Sequence, residues 1–249
     1  MPSRQIEAVI FDLDDTLISW SEPTVDWDVF HLGRVDLMRN YLVERGYILP
    51  TTEAFHKFIS ERLNKTWDNA RGVWTIPSIE ELMRQILIDL NVPADQVDMK
   101  ALMERYNWGV FPGVVPYEDT HDVLEVLHDQ KYKIGLVTNS IFPMWMRDVE
   151  LEEYDLLRFL DARITSGDVG YLKPHPHIYK LILEMLDVRP DQAVFVGDRP
   201  KNDIAGANAV GLISVLLVPS HLERELDGVV PDYTITSLSD LLPLLKELD

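Results

Sequence analysis

Three short apolar runs each stop abruptly at a polar residue: residues 8–11 before Asp12, 134–137 before Thr138, and 193–196 before Gly197 and Asp198. An unbroken apolar run of this length is how a strand covered on both faces reads, as in a parallel sheet between two helical layers. Residues 162–165, 213–218 and 233–236 are weaker strand candidates. Helical spacing fills the gaps, over 119–131, 143–151, 175–186, 202–210 and 238–248. Strands alternating with helices of this size predict an α/β fold with a doubly wound parallel sheet.

Residues 18–116 break that rhythm, because no convincing strand interrupts them. Ser78-Ile79-Glu80-Glu81 matches a helix-start capping box, and Ile79, Leu82, Met83, Ile86, Leu87 and Leu90 then keep helical spacing. Phe55, Phe58, Ile59, Leu63 and Trp67 mark a second helix, and the windows 25–44 and 98–107 supply two more. The stretch, with its linkers, therefore reads as an inserted α-helical domain. Residues 1–17 and 117–249 form the α/β core. Residues 110–116 hold two prolines and a glycine and read as a semi-stiff linker back to the sheet.

Composition narrows the chemistry. The chain of 249 residues has no cysteine, which removes disulfides, thiolate nucleophiles and cysteine-ligated metal sites. A formal charge of -19 repels phosphate backbones and anionic lipid, so no nucleic-acid partner is expected. No apolar stretch approaches the roughly 20 residues that a bilayer requires, and the first apolar run is too short for a signal-peptide core. The expectation is a soluble, cytoplasmic protein without a membrane partner. P-loop, dinucleotide-binding, zinc-peptidase and nucleophile-elbow motifs are all missing.

The polar residues at the ends of the apolar runs form four clusters: Asp12-Leu13-Asp14-Asp15-Thr16, Thr138-Asn139-Ser140, Lys173-Pro174, and Gly197-Asp198 with Asn202-Asp203. Sites in open parallel sheets form outside the carboxyl ends of the strands, so clusters far apart in sequence can converge. Asp12, Asp14, Asp198 and Asp203 together would repel one another unless a cation shared them, and a hard divalent ion with oxygen ligands resolves this. Mg²⁺ is preferred. Thr138 and Lys173 then suit an anionic phosphoryl group, as hydroxyl donor and point charge.

These clusters, in this order and strand context, closely resemble the four motifs of the haloacid dehalogenase superfamily, and a helical insert between the first two matches its helical-cap subclass. The resemblance implies that Asp12 is the nucleophile, forming an aspartyl-phosphate, and that Asp14 is the general acid and base. It implies Mg²⁺ held by the Asp12 carboxylate, the Asp14 carbonyl and Asp198, with Asp203 and Asn202 in the surrounding shell. Thr138, Asn139 and Lys173 would bind the phosphoryl group. Mg²⁺ and Lys173 are expected to keep Asp12 ionised, while the pKa of Asp14 is raised by burial and by a neighbouring carboxylate.

Dehalogenases of the family typically carry tyrosine at the position of Asp14, so an acid there favours phosphate-ester chemistry. The expected activity is Mg²⁺-dependent hydrolysis of a small phosphorylated metabolite. A phosphomutase is the alternative, then a 2-haloacid dehalogenase, then a non-catalytic phospho-acceptor. His175 and His177 read as the polar first turn of a helix rather than a metal pair, because no third nitrogen ligand is in view. Trp20, Trp27, Trp67, Trp74 and Trp108 all fall in the insert, where packing of a small helical bundle explains them more simply than a substrate pocket does. Arg62, Lys65 and Arg71 allow two readings, contacts from the insert to a substrate or the solvated side of a helix.

Overall fold

A computed structural model describes residues 6–248; the outermost residues of the expected core segments, 1–5 and 249, lie outside it. Six strands form one parallel sheet in the order β5-β4-β1-β6-β7-β8. They are β1 (Ala8–Phe11), β4 (Lys133–Thr138), β5 (Ala162–Thr165), β6 (Ala193–Gly197), β7 (Ile213–Leu217) and β8 (Tyr233–Ile235). The strand period of two shows directly in the packing. Val9 and Phe11 of β1 and Val194 and Val196 of β6 join a core built with α5 (Thr120–Asp129), α6 (Met144–Glu153) and α10 (Leu241–Leu248). Ala8, Ile10, Ala193 and Phe195 point to the opposite face, against α8 (Pro176–Leu186) and α9 (Ala205–Val210). Both faces are dry, which is why these strands read as continuous apolar runs.

The chain winds outward from β1 through β4 to β5, then returns to place β6 on the other side of β1. The crevice between β1 and β6 is therefore the switch point where ligands of such sheets bind. The Asp12 N–H donates to the Val196 carbonyl at 2.9 Å and locks the two strand ends together there.

Between β1 and β4 stand four helices, α1 (Trp27–Glu44), α2 (Thr52–Ala70), α3 (Ile79–Asp89) and α4 (Met99–Arg105). The Ser78 hydroxyl accepts the Glu81 N–H at 3.2 Å, the N-terminal cap expected for α3. One expectation for 18–116 fails. Its two ends pair as an antiparallel ribbon, β2 (Ile18–Ser19) with β3 (Val115–Pro116), so the exit linker finishes as a strand. Proline is tolerated there because it needs to supply no N–H to a longer ladder.

The helices are also pinned to the sheet side away from the ribbon. Ile76 N–H donates to the Gly170 carbonyl (3.1 Å), Leu172 N–H to Trp74 (2.8 Å) and Ile79 N–H to Ile141 (3.1 Å). Their apolar core runs on into Ile141, Phe142, Met146 and Leu172.

Candidate active site

Three of the expected clusters begin at a strand end, because the apolar run must stop where the sheet stops, whereas Lys173 lies on the loop between β5 and α8. Asp12 follows β1, Thr138 closes β4 and Asp198 follows β6. Asp203 lies in a wide π-helical turn, Pro200–Ile204, which precedes α9 where a continuous helix over 202–210 was expected. Such turns recur at functional sites because they re-aim side chains. The Asp203 carboxylate accepts the Arg199 N–H at 2.8 Å. Gly197 is required beneath it: a Cβ there would lie 2.5 Å from the Cβ and Cγ of Asp203.

A cavity of about 50 Å³ is bordered by Asp12, Asp14, Thr138, Asn139, Lys173, Arg199, Asn202 and Asp203. Carboxylate oxygens of Asp12, Asp198 and Asp203 come within 4.8 Å of one another, all three residues being buried. The fully buried Lys173 ammonium bridges two of them, at 2.6 Å from Asp12 Oδ1 and 2.7 Å from Asp203 Oδ1. Asp198 Oδ2 meets Arg224, whereas Asp198 Oδ1 is buried without a hydrogen-bond partner. An acceptor-only oxygen left bare among three carboxylates is what a hard cation satisfies, so the donor set fits a metal ion.

Electrostatics depart from expectation at Asp14 and show how far Asp12 depends on a cation. Burial raises Asp12 to about 8; the Lys173 charge opposes that rise, and Asp203, Asp198 and Asp14 add to it. Without a cation, Lys173 alone does not keep Asp12 ionised. Asp14 goes the other way. Burial pushes its pKa up, but the Arg147 guanidinium and a hydrogen bond from Trp20 prevail, and it falls below the ordinary carboxylate value. Its carboxylate turns out of the acidic triad: Arg147 Nη2 lies 3.2 Å from both oxygens, Trp20 Nε1 donates at 2.8 Å and Thr138 Oγ1 at 3.4 Å. Asp198 is raised to about 6 by burial and by Asp203, against the pull of Arg224.

The two asparagines border the small cavity and spend their amides on the backbone of Lys173. Asn139 Oδ1 accepts the Lys173 N–H at 2.7 Å and its Nδ2 donates to the Lys173 carbonyl at 3.1 Å. Asn202 Nδ2 donates to the same carbonyl at 2.9 Å. Both amides clamp the loop that carries the lysine. Asp15, at φ 59°, occupies the left-handed region that otherwise favours glycine, and its carboxylate accepts the Trp20 N–H at 3.0 Å. The Thr138-Asn139-Ser140 segment does not cap α6. The Asp168 carboxylate accepts the Met144 N–H instead, at 2.9 Å. His175 caps α8 by accepting the His177 N–H, in keeping with a structural reading of that pair.

The sequence profile of the haloacid dehalogenase-like hydrolases matches residues 6–211. The chain belongs to this family. Among curated relatives, pyrophosphatase PpaX of Bacillus mycoides (strain KBAB4) is 34% identical over 98% of this chain and 99% of its own length. PpaX of Bacillus thuringiensis (strain Al Hakam) is 26% identical over the same shares. A phosphatase of the family from Thermococcus onnurineus superposes with a TM-score of 0.58 at 27% identity, covering 96% of this chain and 98% of that one. A 2-haloacid dehalogenase from Pseudomonas syringae pv. Tomato DC3000 reaches 0.66 at 23% identity over 98% and 100%, a likeness of fold. The chain is thus a hydrolase on a haloacid dehalogenase-like fold, and no helix among the described residues is long and apolar enough to cross a membrane.

Four charged residues of this hydrolase escaped the sequence reading. Arg199 borders the small cavity and the larger one above it. Arg224 contacts Asp198 and stands 3.6 Å from Asp15. Arg147 and Glu150 form a buried ion pair on α6 that continues to Asp14. Burial raises Glu150 to about 7, against the pull of Arg147 and with a further push from Asp14. A signal for this pair was present: Met144, Arg147 and Leu151 share one helical stripe, so charge stood on a face otherwise made for packing.

Proposed function

We propose that this hydrolase is a cytoplasmic, Mg²⁺-dependent phosphatase that cleaves a small phosphomonoester through an aspartyl-phosphate on Asp12, with 18–116 acting as the cap of the 1–17 and 117–249 core. The observation that carries the reading is the placement of the Asp12 carboxylate 2.6 Å from the Lys173 ammonium, in one small cavity with Asp14 and Thr138. Asp12, Asp198 and the Asp14 carbonyl would hold the ion, with Asp203 beside them, and the ion supplies charge neutralisation for an incoming phosphoryl dianion.

An Asp12 oxygen forms a bond to phosphorus as the ester oxygen departs, and Asp14 delivers a proton to that oxygen. Water then attacks the phosphorus, its proton passes to Asp14, and the Asp12–phosphorus bond breaks. Lys173 and the Thr138 hydroxyl hold the transferring group. Arg147 and Trp20 orient Asp14 and favour its ionised form, which suits the second step. Phosphate release from an aryl phosphate, silenced reversibly by EDTA and abolished by Asp12→Asn, is the expected result; a fully active Asp12→Asn variant would refute the assignment.

A second reading, hydrolysis of a phosphoanhydride, is favoured by the names of the PpaX relatives. Pyrophosphate and a phosphomonoester compared at equal concentration, with released phosphate as readout, separate the two.

A further inference from the structure

Above the small cavity lies a second one of about 600 Å³, and Asp14, Asn139 and Arg199 border both. Its size is that of a site for a small organic molecule. Five aromatic rings, Trp20, Trp27, Trp67, Trp108 and Phe142, line it beside polar residues that include Ser60, Asn64, Asn139 and Ser140. Trp27 meets Trp20 and Trp108 edge-on, with centroids 6.0 and 6.3 Å apart, so these rings form an angled box rather than a closed stack. Four of the five insert tryptophans thus line a cavity, where bundle packing was the simpler expectation. The insert lends this cavity no cation. Arg62 pairs with Asp89, Arg71 with Asp68 on the exposed side of α2, and Lys65 is exposed; none of the three borders it.

Two ring nitrogens of the box, Nε2 of His31 and Nε1 of Trp108, are buried without a hydrogen-bond partner among the described residues. His31, 7% exposed, lines the cavity with Nε2 buried and unbonded, while its Nδ1 lies 2.7 Å from the Tyr106 hydroxyl. Burial lowers the His31 pKa to about 4, so the imidazole is neutral. The buried Tyr106 hydroxyl has no other hydrogen-bond partner among the described residues, so it donates to Nδ1 and leaves the proton on Nε2.

We propose that the alcohol half of the substrate is a planar aromatic group whose ring edge carries an acceptor for His31 Nε2–H. The proposal rests on the phosphatase reading and deepens it. Aromatic rings in the wall reward a ring through stacking and burial.

The test uses the Mg²⁺-loaded enzyme and phosphates of matched primary alcohols, so that leaving-group basicity is held constant: 2-naphthylmethyl, quinolinylmethyl and cyclohexylmethyl phosphate, with glycerol 3-phosphate and pyrophosphate alongside. The expected kcat/KM for naphthylmethyl phosphate exceeds that for cyclohexylmethyl phosphate by roughly tenfold and that for glycerol 3-phosphate by more. Trp67→Leu and Trp27→Leu should shrink the naphthyl-to-cyclohexyl ratio toward one. His31→Phe should remove the advantage of the quinoline over the naphthalene. Quenching of tryptophan fluorescence by the uncleaved 2-naphthylmethyl phosphonate, tighter than by its cyclohexyl counterpart, gives a readout independent of turnover. Glycerol 3-phosphate or pyrophosphate hydrolysed as well as the aryl ester would overturn the proposal and leave a phosphate-releasing enzyme standing. No phosphate from any of the five would overturn the phosphatase reading, and the phosphonate pair would still decide the cavity.

Discussion

The two cavities that share Asp14 are built on opposite terms. The lower one, of about 50 Å³, is enclosed by carboxylates, a lysine and backbone-clamping asparagines, held by the ends of β1, β4 and β6 and by the turns that follow the sheet. The upper one, of about 600 Å³, is walled by rings from a neck segment, helices, loops and the chain just after β4. In the first, position is set by the sheet's edge and the turns just beyond it, and the carboxylates outnumber the lysine that bridges them. In the second, position depends on how each helix is rotated about its axis. Chemistry is therefore held by the more rigid and more legible part, and selection by the part a few substitutions can reshape.

The largest effect that would sharpen this contrast is on turnover. Asp12→Asn should lower kcat by on the order of 10⁴-fold or more while the melting temperature holds, whereas Trp27→Leu should alter the ranking of substrates and keep turnover measurable. Comparable losses from both variants would erase the distinction.

Next in size is a stability effect at the junction. Arg147→Met leaves Glu150 buried without its partner and should cost about 3–5 kcal/mol by denaturant unfolding. Adding Glu150→Leu should recover most of that loss. A cost below about 1 kcal/mol for the single change would show that the pair is not held as described.

Smaller, and specific to the lower cavity, is the pH dependence of stability. Burial raises Asp12 to about 8 and Asp198 to about 6, so in the metal-free protein their favourable, protonated state is complete below the ordinary carboxylate range. It is lost as pH climbs through those values, and stability falls with it. A cation requires both groups ionised and competes with protons below pH 8. The rise in melting temperature on adding Mg²⁺ should accordingly be several degrees larger at pH 8.5 than at pH 6. A rise independent of pH would break the link between these carboxylates and the ion.

What could be read from the chain follows the same divide. The apolar runs of β1, β4 and β6 are legible because both sheet faces are dry, and Asp12, Thr138 and Asp198 are legible because each run halts on them. Lys173 and Asp203 were found through motif spacing, and the crevice brings both to Asp12. Orientation within the crevice was not legible. The amides of Asn139 and Asn202 turn to the Lys173 backbone, and the lowered pKa of Asp14 comes from Arg147, a residue of α6 that lies 133 positions away in the chain. The neck pairing of Ile18–Ser19 with Val115–Pro116 involves two residues a side, too few for any periodicity to register. The aromatic box needed tertiary information, because packing and lining tryptophans have the same sequence spacing.

The most direct test of the central claim is to identify the covalent intermediate. Enzyme mixed with a ³²P-labelled phosphomonoester and Mg²⁺, quenched in acid within a single turnover and mapped by peptide, should carry label on the segment containing Asp12 and on no other. The label should vanish in Asp12→Asn and fail to form in EDTA. Full turnover with no acid-stable label at any time point, or label on a peptide lacking Asp12, would contradict the account.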